Sequence, residues 1–289
     1  MTRDISNKSR THEIMKAHGF KLKKKLGQNF LTDANILRKI VETANLTKET
    51  GVIEIGPGIG ALTEHLARHA KNVLAYEIDP TLIPILEKTL GPYPNIKVIN
   101  EDILKADITA DMGEYLANAR DIAVVANLPY YITTPILMGL IEARLPINRY
   151  IVMMQMEVAR RLSAKPGTKD YNALSIAIQY YCDVEIAINV PRGVFIPPPN
   201  VDSAVVLITR RNQPPVTAID EDFLMKVIHI SFTQRRKTLL NNLANHFDQL
   251  AKAEISELLQ AINIDPSRRA ESLTIQEFAQ LSDTFLSYD

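Results

Sequence analysis

A single cysteine, Cys182, stands in a chain of 289 residues. No disulfide can close within the chain, and no cysteine-rich metal site can form. Net charge is also missing: 33 basic and 33 acidic side chains cancel. That balance argues against a uniformly basic nucleic-acid binder. No apolar run reaches the roughly 18 residues of a membrane helix, so no membrane partner is expected. The first residues, "MTRDISNKSRTHEIMKAHGFKLKKK", are polar and basic and lack the apolar core of a secretory signal. A reducing cytoplasm is the expected compartment. There is no internal repeat and no low-complexity tract.

What remains is an ordinary globular composition, 46% hydrophobic and 23% charged. The length suits one large domain and a smaller one. Short β-branched runs read as buried strands: "GVIEIG" (51–56), "NVLAYE" (72–77), "IKVIN" (96–100), "IAVVAN" (122–127) and "RYIVMMQ" (149–155). "ALTEHLARHA" (61–70) and "PTLIPILEKTL" (80–90) between them read as helices. Such alternation predicts an α/β fold with a mostly parallel sheet covered on both faces. "VEIAINV" (184–190) and "SAVVLIT" (203–209) flank the proline-rich loop "PRGVFIPPPNVD" and are expected as antiparallel neighbours at one edge. In "LTDANILRKIVETANL" (31–46) a helical face carries Ile36, Leu37, Ile40, Val41 and Ala44, with Thr32 or Asp33 as N-cap. After Pro214 and Pro215 only helical periodicity is left. The expected domains are therefore 1–211, an α/β unit with a basic N-terminal extension, and 212–289, a helical unit of about 75 residues.

"VIEIGPGIGALTEHLA" is strand, glycine-rich turn, helix. Gly56, Gly58 and Gly60 allow a sharp bend and close approach to a ligand. Glu77 ends the next strand, 21 positions after Gly56, where a carboxylate can accept both ribose hydroxyls of a nucleoside. Gly56, Gly58 and Ala61 also satisfy the dinucleotide spacing, so an NAD dehydrogenase enters the comparison. Asp102, just past the third strand, suits the exocyclic amine of an adenine. Alone it reads as a turn cap. Glycine turn, ribose acid and adenine acid on three successive strands form the layout of S-adenosylmethionine enzymes.

The fourth strand runs into "NLPY". Asn127, Leu128, Pro129 and Tyr130 should lie beside the donor, at the carboxyl edge of the sheet. An exocyclic amine of a base is a poor nucleophile, because its lone pair is delocalised into the ring. Acceptors on its two hydrogens, Asn127 Oδ1 and the Leu128 carbonyl, would free that lone pair. Pro129 has no N–H and restricts Leu128. Tyr130 offers a face for base stacking.

"LGQNFL", "EIGPGIGALT", "YEID", "NEDIL", "NLPYYITTPI", "FIPPPNVDSAV" and "SFTQRRKTLLNNL" together resemble the bacterial small-subunit ribosomal RNA adenine dimethyltransferase family, over residues 20 to 245. The resemblance implies a Rossmann-like S-adenosylmethionine-dependent methyltransferase domain with a seven-stranded sheet and a small all-α domain. It implies dimethylation of N6 of two adjacent adenosines near the 3′ end of 16S rRNA, late in small-subunit assembly. The partner would be 16S rRNA within the subunit or its precursor. The enzyme would act as a monomer, with S-adenosyl-L-methionine and no metal. The family's cofactor contacts fall on Asn29, Leu31, Gly56, Glu77, Asp102 and Asn127. Phe195 would stack on the target adenine opposite Tyr130. Phosphate contacts would come from local basic clusters, above all Arg235, Arg236 and Lys237, with Arg160 and Lys165; "KLKKK" (21–25) and "SRR" (267–269) are further clusters. Two other readings are the related 23S rRNA adenine dimethyltransferase of macrolide resistance and a non-catalytic assembly or transcription factor that keeps the fold.

Overall fold

The computed structural model describes residues 4–19, 23 and 27–289. Four of the five residues in "KLKKK" lie outside the described residues; Lys23 alone is within them. In chain order the elements are α1 (Lys8–Ala17), β1 (Phe30–Leu31), α2 (Ala34–Ala44), β2 (Thr50–Ile55), α3 (Ala61–His69), β3 (Asn72–Tyr76), α4 (Ile83–Leu90), β4 (Ile96–Ile99) and α5 (Ile108–Tyr115). Next come β5 (Asp121–Asn127), α6 (Thr133–Glu142), β6 (Arg149–Gln155), α7 (Met156–Leu162), α8 (Ala173–Tyr181), β7 (Cys182–Val190), β8 (Phe195–Ile196) and β9 (Ser203–Arg210). Four helices end the chain: α9 (Glu221–Ser231), α10 (Leu239–Ala244), α11 (Lys252–Ala261) and α12 (Ile275–Phe285).

Seven strands form one sheet in the order β4-β3-β2-β5-β6-β9-β7. The pairs β4/β3, β3/β2, β2/β5 and β5/β6 are parallel, and β6/β9 is antiparallel. This is a Rossmann-like, mostly parallel sheet. Its interior strand β2 is buried at every position, as a strand between two helical layers must be. The edge strand β7 alternates half-buried with exposed side chains between its two buried end residues, as a half-covered edge does. The strand order switches at β2/β5, so the crevice for a ligand belongs at the carboxyl ends of those strands. Helix α2 forms as its pattern requires: Asp33 caps it through bonds to the Asn35 and Ile36 N–H groups, and Leu37, Ile40, Val41 and Ala44 are buried.

Among the features of the first unit that the sequence reading did not name, two bear on the site. Part of the polar N-terminus folds, with α1 capped by Asn7 and Ile5 fully buried. The Ile5 N–H donates to Glu64 Oε2 at 2.8 Å. Second, β1 and β8 pair antiparallel, Phe30 with Ile196 and Leu31 with Phe195.

By packing, the chain divides into residues 1–159 with 185–210, and residues 160–184 with 211–289. One of these breaks falls between residues 210 and 211. Residues 160–184, expected within the first domain, go instead with the helical unit. The reason is burial: Tyr171, Ile176 and Tyr180 join Phe223, Leu243, Phe278 and Phe285 in one apolar cluster. Within that unit Thr274 and Glu277 form a capping box on α12, and Arg268 pairs with Glu277. Among the described residues no helix is long and apolar enough to cross a membrane.

Candidate active site

A cleft opens at the carboxyl edge of the sheet. Four stretches line it: residues 27–31, the turn from β2 into α3, Glu77 with Ile78, and residues 127–131. Gly56 bends the chain with φ +67° while its N–H donates to the Tyr76 carbonyl at 2.9 Å. Among the described residues, no atom beyond its chain neighbours lies within 4 Å of where a Cβ on Gly56 would stand, so the backbone itself forms the cleft wall there. Gly58 is under a different constraint: a Cβ would come within 2.9 Å of the Phe30 ring. The turn is thus open toward the cleft and closed toward the segment that covers it.

Two carboxyl groups line the cleft from inside the protein. Glu77 is 4% exposed. Its Oε1 accepts the Asp79 N–H at 2.8 Å and its Oε2 the Gly58 N–H at 3.2 Å. Burial pushes this carboxyl up to about 7, although those bonds pull the other way. Glu54, on β2, is 1% exposed. Burial pushes it up to about 8, with the Thr63 hydroxyl opposing and the charge of Glu77 adding to the rise. Its Oε2 has no hydrogen-bond partner among the described residues. An orphaned carboxyl oxygen beside open space suits a cationic or hydroxyl-bearing ligand. The sequence reading missed Glu54, although an acid inside the apolar run "VIEIG" is a visible signal.

The "NLPY" segment follows β5 directly. Asn127 Nδ2 donates to the Asn29 carbonyl at 3.1 Å, which orients the amide. The Leu128 N–H donates to the Met153 carbonyl at 3.1 Å, and the Leu128 side chain is buried. The Pro129 carbonyl accepts from the Ile132 N–H at 3.2 Å and the Thr133 hydroxyl at 3.0 Å, closing the turn into α6. The Leu128 carbonyl accepts no hydrogen bond among the described residues, so its acceptor capacity is unspent. Tyr130 is half-buried, its hydroxyl 2.5 Å from Ser203 Oγ. Tyr131, to which the sequence reading assigned no role, is 57% exposed and lines the same cleft.

Asn29, Leu31, Gly56, Glu77, Asn127, Leu128, Pro129 and Tyr130 therefore converge on one cleft. Two expected members do not. Phe195 is 3% exposed and sits in the apolar core with Phe30, Leu31 and Leu37. Its strand is held by pairing with Leu31, so the ring is a core residue and presents no face to a base. Asp102 follows β4 but is not in the cleft lining; its Oδ1 caps a turn by accepting the Leu104 N–H at 3.1 Å. The basic residues belong to the helical unit. Arg160, Lys165, Arg235, Arg236 and Lys237 are all exposed. Arg235 donates to the Lys169 carbonyl at 2.7 Å, which brings the 165–169 loop beside the "TQRRK" turn.

The family described as ribosomal RNA adenine dimethylase matches residues 19–285. Ribosomal RNA small subunit methyltransferase A of Geobacillus sp. (strain WCH70) is 59% identical over 285 residues, covering 98% of each chain. The protein of that name from Lysinibacillus sphaericus (strain C3-41) is 57% identical over 285 residues, covering 98% of this chain and 97% of its own. Among solved structures, a dimethyladenosine transferase from Plasmodium falciparum aligns with TM-score 0.74 at 27% identity, over 90% of this chain and 98% of that one. The 23S rRNA methyltransferase ErmE aligns with TM-score 0.67 at 28% identity, over 88% and 98%. With its sheet, its glycine turn and its "NLPY" cleft, this chain belongs to the ribosomal RNA adenine dimethylase family of methyltransferases.

Proposed function

We propose that the enzyme dimethylates N6 of two adjacent adenosines near the 3′ end of 16S rRNA, late in assembly of the small ribosomal subunit, with S-adenosyl-L-methionine as methyl donor. The observation that carries this reading is the position of Asn127. It ends β5 at the cleft, and the Asn29 carbonyl occupies its NH₂ side. Oδ1 is thereby left as the acceptor the amide can offer an amine. Full-length likeness to proteins named small subunit methyltransferase A supports the choice of subunit.

The residues present fit the donor. The orphaned Glu54 carboxyl and the open space at Gly56 suit a ligand that carries cationic groups and lies against the backbone. Asn29, Leu31, Gly56, Glu77 and Asn127 would hold it, with Glu77 accepting ribose hydroxyls. Bound there, the donor supplies an electrophilic methyl group on a sulfonium.

The chain's own part is to prepare the nucleophile. Asn127 Oδ1 and the Leu128 carbonyl accept the two amine hydrogens and favour a tetrahedral nitrogen whose lone pair is free. Tyr130 stacks on the target base, its ring steadied by the Ser203 contact. After transfer the protonated nitrogen loses its proton to water, so no strong general base is needed. The basic loops of the helical unit, Arg160, Lys165 and Arg235 to Lys237, would meet phosphates. A monomeric, cytoplasmic enzyme fits this work.

The test uses labelled donor with three substrates: small subunits lacking the modification, naked 16S rRNA, and large subunits. Two methyl groups per adenosine on the small subunit are expected. Label on 23S rRNA alone would move the enzyme to the other branch of its family, and binding without label would make it an assembly factor.

A further inference from the structure

The segment covering the cleft, residues 27–31, is anchored at one end by the pairing of β1 with β8. Its other anchor is Asp79, a residue 1% exposed just beyond Glu77. Lys23 Nζ lies 2.6 Å from Asp79 Oδ1, and Gln28 Nε2 donates to Asp79 Oδ2 at 2.9 Å. Gln28 Oε1 accepts the Lys23 N–H at 2.8 Å and closes a three-residue ring of bonds. These contacts span 56 and 51 positions of sequence, so a local turn motif does not account for them. Thr81 supplies the local part, donating its N–H and hydroxyl to Oδ1. Burial opposes the charge on Asp79, but the bonds from Lys23, Thr81 and Gln28 outweigh it and hold the carboxyl down at about 2. Asp79 is therefore ionised at neutral pH.

Between the two anchors lies Asn29, whose carbonyl accepts Asn127 Nδ2–H. A carbonyl can only accept, so it dictates which end of the Asn127 amide faces it. We propose that Asp79 is a positioning residue for methyl transfer: by clamping Lys23 and Gln28 it holds the Asn29 carbonyl in place, and that carbonyl aims Asn127 Oδ1 at the amine. This rests on the role given to Asn127 above.

The decisive variants reverse the polarity of one bond. Asp79→Asn keeps an acceptor for Thr81 but places an NH₂ against the Gln28 NH₂. Gln28→Glu places a carboxylate against the Asp79 carboxylate. Each should lower kcat on small subunits by about tenfold, the scale of a small misplacement of a catalytic group, with donor Kd changed less. The pair together restores a donor facing an acceptor, and most of kcat should return. A second readout is independent of turnover. In the ligand-free protein the ¹⁵N–¹H pair of the Asn127 side chain, identified by its loss in Asn127→Asp, should shift and exchange faster in each single variant. It should recover in the pair. Wild-type kcat in both single variants, or no recovery in the pair, overturns the clamp while leaving the proposed reaction standing. Absence of methylation by the wild-type enzyme overturns the reaction, and the amide signal then still reports on the clamp.

Discussion

The cleft of the first unit and the basic loops of the helical unit hold charge in opposite ways. Glu54 and Glu77 are 1% and 4% exposed, and each carboxyl is pushed well above its ordinary value. Arg160, Lys165, Arg235, Arg236 and Lys237 are open to solvent. A buried charge has few possible partners, so each one it has or lacks is informative. An exposed cation is screened by salt, and one can be exchanged for another. Substitutions in the cleft should therefore be individually large and pH-dependent. Those in the loops should be small, additive and salt-dependent.

The largest effect should come from Phe195, which the structure moves from the site to the core. Phe195→Ala should cost about 3–5 kcal/mol of stability, the usual loss for a buried ring, seen as a lower denaturant midpoint. Full stability with slow methylation would return the ring to the substrate. Next, Asn127→Ala should lower kcat more than tenfold, a loss of at least ~1.4 kcal/mol. Asn127→Asp should keep donor binding or tighten it. An aspartate variant faster than wild type would show that proton removal, rather than aim, limits the rate.

Glu54 sharpens the comparison through pH. Its carboxyl, ordinarily near 4.5, stands at about 8 in the ligand-free fold. The folded chain keeps a proton that the unfolded chain gives up. That contribution to stability is fully present below 4.5 and is lost as pH rises through about 8. Thermal melts between pH 5 and 8 should show Tm falling, and Glu54→Gln should flatten the fall. Donor affinity should rise over the same range as both carboxyls ionise, and less steeply in the variant. An unchanged melt profile would mean that Glu54 is already ionised in the free protein.

The loops should give the smallest effect per residue. Changing Arg235, Arg236 and Lys237 together to alanine should flatten the log–log salt dependence of RNA binding by about 0.7 to 0.9 for each phosphate left without its cation. An unchanged slope would turn that cluster away from RNA and remove the contrast with the cleft.

Local pattern was enough for much of this protein. β-Branched runs, the bend at Gly56, the Asp33 cap of α2 and the proline turn of "NLPY" depend on neighbours a few residues away. All of them appear in the structure where periodicity and turn chemistry put them. The convergence of the glycine turn, Glu77 and Asn127 was also legible, because a parallel sheet delivers the ends of its strands to one edge. Other features needed the packed chain. Phe195 is equally plausible as plug or platform until its strand pairs with Leu31. Residues 160–184 could serve either unit until Tyr171 and Tyr180 find the helical core. Asp79 looks like the cap of its own turn until Lys23 and Gln28 arrive from more than 50 positions away. Burial and long-range hydrogen bonds are properties of surfaces brought together, and no window of sequence contains both surfaces.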